Sequence, residues 1–456
     1  MNRKTILKIT ALTAVLGLLA GCGGTVPPAV RPGSTVESVS GGITDAPVSD
    51  TGAADSAGTA EAVGTTGETA PVTTAPETEA VTTEAATEAV TTEAVVTEAP
   101  VTTEAPAEDP LWTKAAAMSL EDRVAQMFVV TPEALTGISG PVTLAGDTTR
   151  AAYDRIPVGG LIYMGQNLEN KTQTENLCWN MQQISLDRTG LPVFLCVDEE
   201  GGTVARVSGS GKFNVPAIEN MSQVTDPERA REIGSTIGGY LAELGFNVDF
   251  APVADVLTNR DNTVVRSRSF GADPAAVTAL DRALAEGLQS KGVLPCYKHF
   301  PGHGATAEDS HQGYAVSHRT REELLNAELV PFRDAAEQGI PFVMVGHIST
   351  PELTSDGLPA SLSPALVTDL LRKELGYAGI IITDALGMGA IAQHYKPGEA
   401  ALLAVKAGND MLLLSDHLEE SYQAVLEAVR SGEISEDRIT ESVCRILRAK
   451  QSLPAR

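Results

Sequence analysis

Lys298-His299-Phe300-Pro301-Gly302-His303-Gly304, followed by Asp309-Ser310-His311, places three histidines, a lysine and a carboxylate within fourteen residues. An imidazole with an ordinary pKa of about 6.5 can give and take a proton near neutral pH. A carboxylate two positions before His311, such as Asp309, can orient that ring and stabilise its protonated form. Pro301-Gly302 cannot continue a helix, so the cluster lies on an ordered loop. The same pair breaks the helical HxxxH spacing that would make His299 and His303 a zinc site, so no metal and no cofactor is expected. His303 is read as a residue that holds the loop, and His347 either as a satisfied core histidine or as pocket lining.

Something must carry that cluster. Val293–Tyr297 just upstream reads as a buried strand, and it is one of eight short apolar runs. The others are Gln126–Thr131, Gly160–Met164, Val193–Val197, Val248–Val253, Phe342–Gly346, Ile380–Thr383 and Asp410–Leu414. Continuous rather than alternating apolar residues mark strands covered on both faces. Amphipathic stretches between them, such as Pro227–Leu244, Ala275–Lys291, Arg321–Gln338 and Ser363–Leu375, read as helices. Eight strands alternating with helices predict an α/β fold, a (β/α)8 TIM-type barrel over residues 111–456. An open doubly wound sheet is the rival, weakened because no GxGxxG follows the first strand. Polar residues gather after the runs: Asp198-Glu199-Glu200 and Arg206, Asp255, Arg266 and Arg268, Lys298-His299, His347 and Asp384. In a parallel barrel those strand ends are where catalysis is placed.

The remaining chain is of a different kind. Arg3, Lys4 and Lys8 precede an apolar run from about Ile9 to Leu19 and then Leu19-Ala20-Gly21-Cys22. This predicts a secretory signal over 1–21 and lipidation of Cys22, the apolar run being short for about 30 Å of hydrocarbon. Residues 22–110 are rich in Thr, Glu, Ala and Pro, with Val-Thr-Thr-Glu-Ala at 81–85, 90–94 and 101–105. With so little to bury, this stretch is expected to be a disordered tether. Of the formal net charge of −26, the segment 32–110 holds fifteen acidic and no basic residues, and about −15 falls on the barrel region. That acidity excludes nucleic acid as a partner and offers no basic patch for anionic lipid. Cys178, Cys196, Cys296 and Cys444 contain no CxxC and are expected to be free thiols.

The motifs from 111 to 456 resemble family 3 glycoside hydrolases of the β-N-acetylhexosaminidase subgroup. The most specific match is Lys298–Gly304 with Asp309–His311, the spacing that marks a histidine acid/base; Thr383-Asp384-Ala385-Leu386 matches the nucleophile motif. The resemblance implies Asp384 as nucleophile, His311 as acid/base and Asp309 as its partner. It further implies that Asp198, Arg206, Arg268, Lys298 and His299 hold the sugar. It covers one barrel, without the second domain that some relatives append. The Arg-Ser-Phe match favours Arg268, although Arg266 would point the same way on an extended segment. Glu199 stands where an uncharged polar residue is common, and its side chain is expected to face away from the pocket.

The resulting expectation is a monomeric, lipid-anchored extracytoplasmic exo-β-N-acetylglucosaminidase acting on a carbohydrate substrate in cell-wall turnover. Retaining cleavage needs a nucleophile on one face of the sugar and a proton donor at the leaving oxygen. A phosphorylase, a β-glucosidase of the same family and a non-catalytic glycan-binding lipoprotein are the alternatives. Asp384 as a helix N-cap and His311 as a surface-loop histidine are the plain structural readings.

Overall fold

The computed structural model describes residues 109–307 and 315–454. Cys22, the signal and almost all of the tether lie outside the described residues, as do Asp309 and His311.

All eight expected runs form strands: β1 (Phe128–Val130), β2 (Gly160–Ile162), β3 (Phe194–Val197), β4 (Val248–Asp249), β5 (Leu294–Phe300), β6 (Phe342–Val345), β7 (Ile380–Thr383) and β8 (Leu412–Leu414). Each strand pairs in parallel with its neighbours in chain order from β1 to β7, and β8 pairs with β1. A parallel bridge between Ile382 and Met411 joins β7 to the approach of β8 and brings the ring to near closure. The apolar side chains of these strands are buried, as continuous runs require.

Two strand boundaries differ instructively from expectation. β4 stops at Asp249 rather than Val253, and Pro252, lacking an N–H, lies in the excluded part. β5 instead runs past Tyr297 to Phe300, so Lys298 and His299 belong to the strand rather than the loop after it. Pairing with β6 keeps these polar residues extended: Lys298 is opposite Met344 and Phe300 opposite Val345. His299 is therefore an extra residue between consecutive β6 positions, a local irregularity that re-aims side chains.

Helices pack around the ring. Asp226-Pro227 and Asp273-Pro274 start two of them alike, Asp226 accepting one backbone N–H and Asp273 two, and each Pro filling the first turn. These helices, Pro227–Leu244 and Pro274–Gln289, meet through Gly234 and Gly287. A Cβ on Gly234 would lie 2.1 Å from the Leu284 carbonyl oxygen, and one on Gly287 2.4 Å from that of Arg231. The expected helix Arg321–Gln338 is two helices, Arg321–Asn326 and Val330–Gln338. Pro331 has no N–H to give and its ring crowds the carbonyl of Ala327, so the helix restarts.

The floor of the barrel is sealed by side chains. Phe194 of β3 and Phe342 of β6 meet edge to face with ring centroids 5.2 Å apart. Lys450, from the helix Glu436–Gln451, lies over Phe194 and gives a 2.7 Å hydrogen bond to Gln126 Oε1. The opposite end, where the strands finish, is open and polar.

Candidate active site

A cavity of about 260 Å³ occupies the open end and is lined by Asp198, Arg206, Arg268, Lys298, His299 and Asp384, with Glu200 and His303 among its other walls. The expected sugar-holding residues and the expected nucleophile thus converge on one hollow, although Asp198 and Asp384 are far apart in the chain.

The first charged group comes from β3. Asp198 follows it directly, and a short hairpin (Glu199–Gly201 with Val204–Ala205) folds the chain over the mouth. Its turn needs glycine: Gly202 has φ of +55° and a Cβ there would sit 2.1 Å from Asn220 Oδ1. Asp198 and Glu200 face the cavity while Glu199 turns away. The Glu199 carboxylate accepts the N–H groups of Val207 and Ser208 at 2.7 and 2.8 Å and the Tyr240 hydroxyl at 2.8 Å. It holds the hairpin and takes no part in the pocket.

Lys298 reaches the same place from β5. Its ammonium lies 2.9 Å from Asp198 Oδ1 and 2.7 Å from Glu200 Oε1. Arg268 grips Glu200 with two parallel bonds of 2.7 and 2.8 Å, and Arg206 stands 3.8 Å from the other oxygen of Asp198. Arg206, Asp198, Lys298, Glu200 and Arg268 form a row of alternating sign with one positive charge in excess. Such a row is rigid because each charge is held by its neighbours. Burial alone would push the Glu200 carboxyl up, but the charges of Lys298 and Arg268 hold it far below the carboxylate range. Burial would likewise lower the Lys298 ammonium, yet Asp198 and Glu200 raise it above an ordinary lysine. Arg266 is exposed and its guanidinium bonds to the Arg260 carbonyl. The two arginines part because the segment is a turn, with Arg268 N–H on the Val265 carbonyl, and not the extended stretch that would align them.

His299 is fixed by Asp255, which is fully buried. Asp255 Oδ2 lies 2.7 Å from His299 Nδ1, while Oδ1 accepts the N–H groups of His299 and His303 at 3.1 and 2.6 Å. With Nδ1 committed to a carboxylate, Nε2 is the ring atom left for a ligand. His303 keeps Nδ1 2.9 Å from the Thr306 hydroxyl, and burial lowers its pKa, so it holds the loop as a neutral ring. His347 is completely buried, with Nδ1 2.8 Å from Ser361 Oγ and Nε2 2.9 Å from the Ala385 carbonyl oxygen.

Asp384 follows β7 directly. Its backbone N–H bonds to the Val345 carbonyl at 2.9 Å, which anchors it to β6. One carboxylate oxygen accepts the Ala385 N–H at 2.7 Å. Burial pushes its pKa up, but His299, His347, the Ala385 N–H and Lys298 outweigh this and the carboxyl sits below its ordinary value. It is an ionised carboxylate on a rigid strand end, facing a hollow with an excess positive charge in its walls. That arrangement suits attack on an electrophilic carbon and stabilisation of a cationic transition state.

Glu200 is the residue that sequence reasoning underrated; Asp255, which reads as an anchor of the barrel mouth, holds His299 and His303. The signal for Glu200 was its spacing: two positions after Asp198 on extended chain, it must share that residue's face.

A parallel eight-stranded barrel with a carboxylate after its seventh strand and a small charged pocket at the strand ends has the form of a barrel enzyme. Residues 119–449 match the glycosyl hydrolase family 3 N-terminal domain, and the chain belongs to that family of glycoside hydrolases. Beta-hexosaminidase LpqI of Mycobacterium tuberculosis is 35% identical over 347 residues, covering 74% of this chain and 84% of the relative. Beta-hexosaminidase A of Pseudoalteromonas piscicida is 33% identical over 326 residues, and there the match spans 66% of this chain and 54% of the relative. The solved structure of a family 3 β-N-acetylglucosaminidase from Paenibacillus sp. FPU-7 superposes with a TM-score of 0.69 at 37% identity, over 74% of this chain and 63% of that one. The chain therefore spans little more than half of some of its relatives.

Proposed function

We propose that this protein is a retaining exo-β-N-acetylglucosaminidase that removes terminal β-linked N-acetylglucosamine. The observation that carries the reading is the convergence of Asp384 with Lys298, Arg268 and His299 on one hollow of about 260 Å³, a size suited to a single sugar. The relatives named β-hexosaminidase support the choice of an N-acetylated sugar.

In this reading Asp384 attacks the anomeric carbon as the glycosidic bond breaks, forming a glycosyl-enzyme that water then hydrolyses. His311 gives its proton to the leaving oxygen and afterwards takes one from the attacking water, with Asp309 stabilising the charged ring. Both lie outside the described residues, and their roles rest on the sequence motif. The fixed donors of Lys298, Arg268, Arg206 and His299 bind sugar oxygens, and Asp198 accepts from a hydroxyl. Because these groups are already held by one another, little ordering is left for the substrate to induce.

The test is steady-state hydrolysis of 4-nitrophenyl β-N-acetylglucosaminide, without added metal, by the barrel region and by its His311→Ala variant. His311→Ala should slow substrates with poor leaving groups by about 10²- to 10⁴-fold and activated ones much less. Equal losses on both would remove His311 from the acid/base role. Product formed with and without phosphate separates hydrolysis from phosphorolysis, the latter yielding a sugar 1-phosphate. The proposal extends to location: a signal over 1–21, an acylated Cys22 and a tether to about residue 110 would hold the barrel outside the membrane, against wall glycan. Mass spectrometry of the mature N-terminus tests it, an unmodified cysteine being the adverse result.

A further inference from the structure

Arg206 ends the charged row, and it is the member held least by its own side-chain contacts. Its ion pair with Asp198 is 3.8 Å long, beyond hydrogen-bonding reach, whereas Lys298 and Arg268 meet their carboxylates at 2.7–2.9 Å. Its Nε has no hydrogen-bond partner among the described residues. Its side chain is 35% exposed, against 13% for Arg268 and 3% for Lys298. The placement of Arg206 must therefore come from the backbone that carries it. We propose that Glu199, which lies outside the pocket, is a positioning residue that sets Arg206 against the sugar, and that Tyr240 acts with it. The inference rests on the glycosidase reading above, in which Arg206 binds a sugar oxygen.

Glu199 grips the chain on both sides of Arg206. On one side Ala205 pairs with Glu199 across the hairpin. On the other, the Glu199 carboxylate accepts the Val207 N–H on Oε2 and the Ser208 N–H on Oε1. Glu199 is itself fixed from two directions. Its N–H bonds at 3.0 Å to Oδ1 of the buried Asp249 in β4, and the hydroxyl of Tyr240, on the helix Pro227–Leu244, donates to Oε1. The Glu199 side chain is completely buried, and among the described residues its carboxylate is met by these three donors rather than by a cation. Hydrogen bonds to both oxygens are what make such burial tolerable. A carboxylate suits this grip better than an amide. An amide has one oxygen, and its NH2 would face the second backbone N–H donor to donor. One of the two bonds beyond Arg206 would then be lost.

The test is a double-mutant cycle on the full chain with 4-nitrophenyl β-N-acetylglucosaminide. Arg206→Ala should raise KM about tenfold, as for one lost charge-assisted contact. Glu199→Gln, which keeps the side chain's shape, should raise KM about fivefold and change kcat by less than about twofold; Tyr240→Phe should raise KM about threefold. In the Arg206→Ala background neither substitution should raise KM further, because the group they position is gone. A merely structural role would raise KM by the same factor in both backgrounds, and that result would overturn the proposal. An Arg206→Ala protein with the parent's KM would overturn it too. Tyr240→Phe leaves the carboxylate in place, so it completes the cycle should Glu199→Gln fail to fold. All of these outcomes leave the parent's cleavage, and with it the glycosidase reading, standing. Failure of the unaltered protein to cleave the substrate would overturn both.

Discussion

Two lysines are buried in this barrel, one at each end, and they are held in opposite ways. Lys298 at the mouth lies between two carboxylates, which raise its pKa above that of a free lysine. Lys450 at the floor has the neutral Gln126 as its partner, and burial lowers its pKa to about 7. Two buried aspartates divide in the same manner. Asp410, at the floor, accepts from Ser442, Arg445, Arg372 and the Ile381 N–H, so both of its oxygens are saturated. Asp384, at the mouth, accepts among the described residues the Ala385 N–H and lines the hollow. Both carboxyls are held below the ordinary range, Asp410 by its arginines against the effect of burial. Ionisation alone therefore does not distinguish the proposed nucleophile from a structural carboxylate. The hydrogen bonds made among the described residues do, one to Asp384 against four to Asp410.

The sharpest way to break this comparison is to remove each aspartate. Asp384→Ala should lower kcat by at least roughly 10³-fold while leaving the urea midpoint unchanged or higher. Asp410→Asn should do the reverse. It leaves the half-buried Arg372 and Arg445 without a carboxylate partner and should cost about 2–4 kcal/mol in chemical denaturation, with the folded fraction keeping its kcat. An Asp410→Asn protein of native stability would show that saturation is not what holds the floor.

Smaller effects sharpen the comparison. Glu200→Gln removes the carboxylate shared by Lys298 and Arg268 without removing either cation. It should raise KM for the aryl glycoside by about tenfold, the size of one charge-assisted contact, with a lesser change in kcat. Glu200→Asp should recover part of that loss, which a general loss of packing would not allow. The smallest effect concerns Lys450. An unfolded lysine keeps its proton up to about pH 10.5, whereas this buried one releases it near 7. Between those values the unfolded chain binds more protons, so stability should rise with pH, by at most about 1.4 kcal/mol per pH unit. Urea midpoints at pH 7 and pH 9.5 should show the rise in the parent and a smaller one in Lys450→Met. Parallel pH dependence in the two proteins would move the cause elsewhere.

Much of the fold was legible beforehand. Strands buried on both faces must be apolar throughout, so the runs at Val193–Val197 and Ile380–Thr383 stand out against polar helix faces. Where reading failed, pairing had overruled local character. Lys298 and His299 read as loop by composition, yet β6 keeps them in a strand. Pro331 was invisible inside an amphipathic pattern that continues across it, and the helix breaks there. Asp198, Arg206, Arg268, Lys298, His299 and Asp384, singled out from motif and strand-end position, line one hollow. Glu200 was given no role because its value lies in what it holds, while Asp255 was read as an anchor of the barrel mouth.

Sequence by itself determined the kinds of element, their order and the chemical types at the strand ends, since these follow from periodicity and local sterics along the chain. It also determined which histidine motif the chain bears. Only the tertiary structure decided that Glu200 faces inward and Glu199 outward, and that Arg268 rather than Arg266 enters the pocket. It alone decided that, among the described residues, Asp384 accepts one hydrogen bond while Asp410 accepts four. Those outcomes depend on ring closure, which brings groups separated by tens to hundreds of residues within hydrogen-bonding distance. No local pattern encodes which of them will meet.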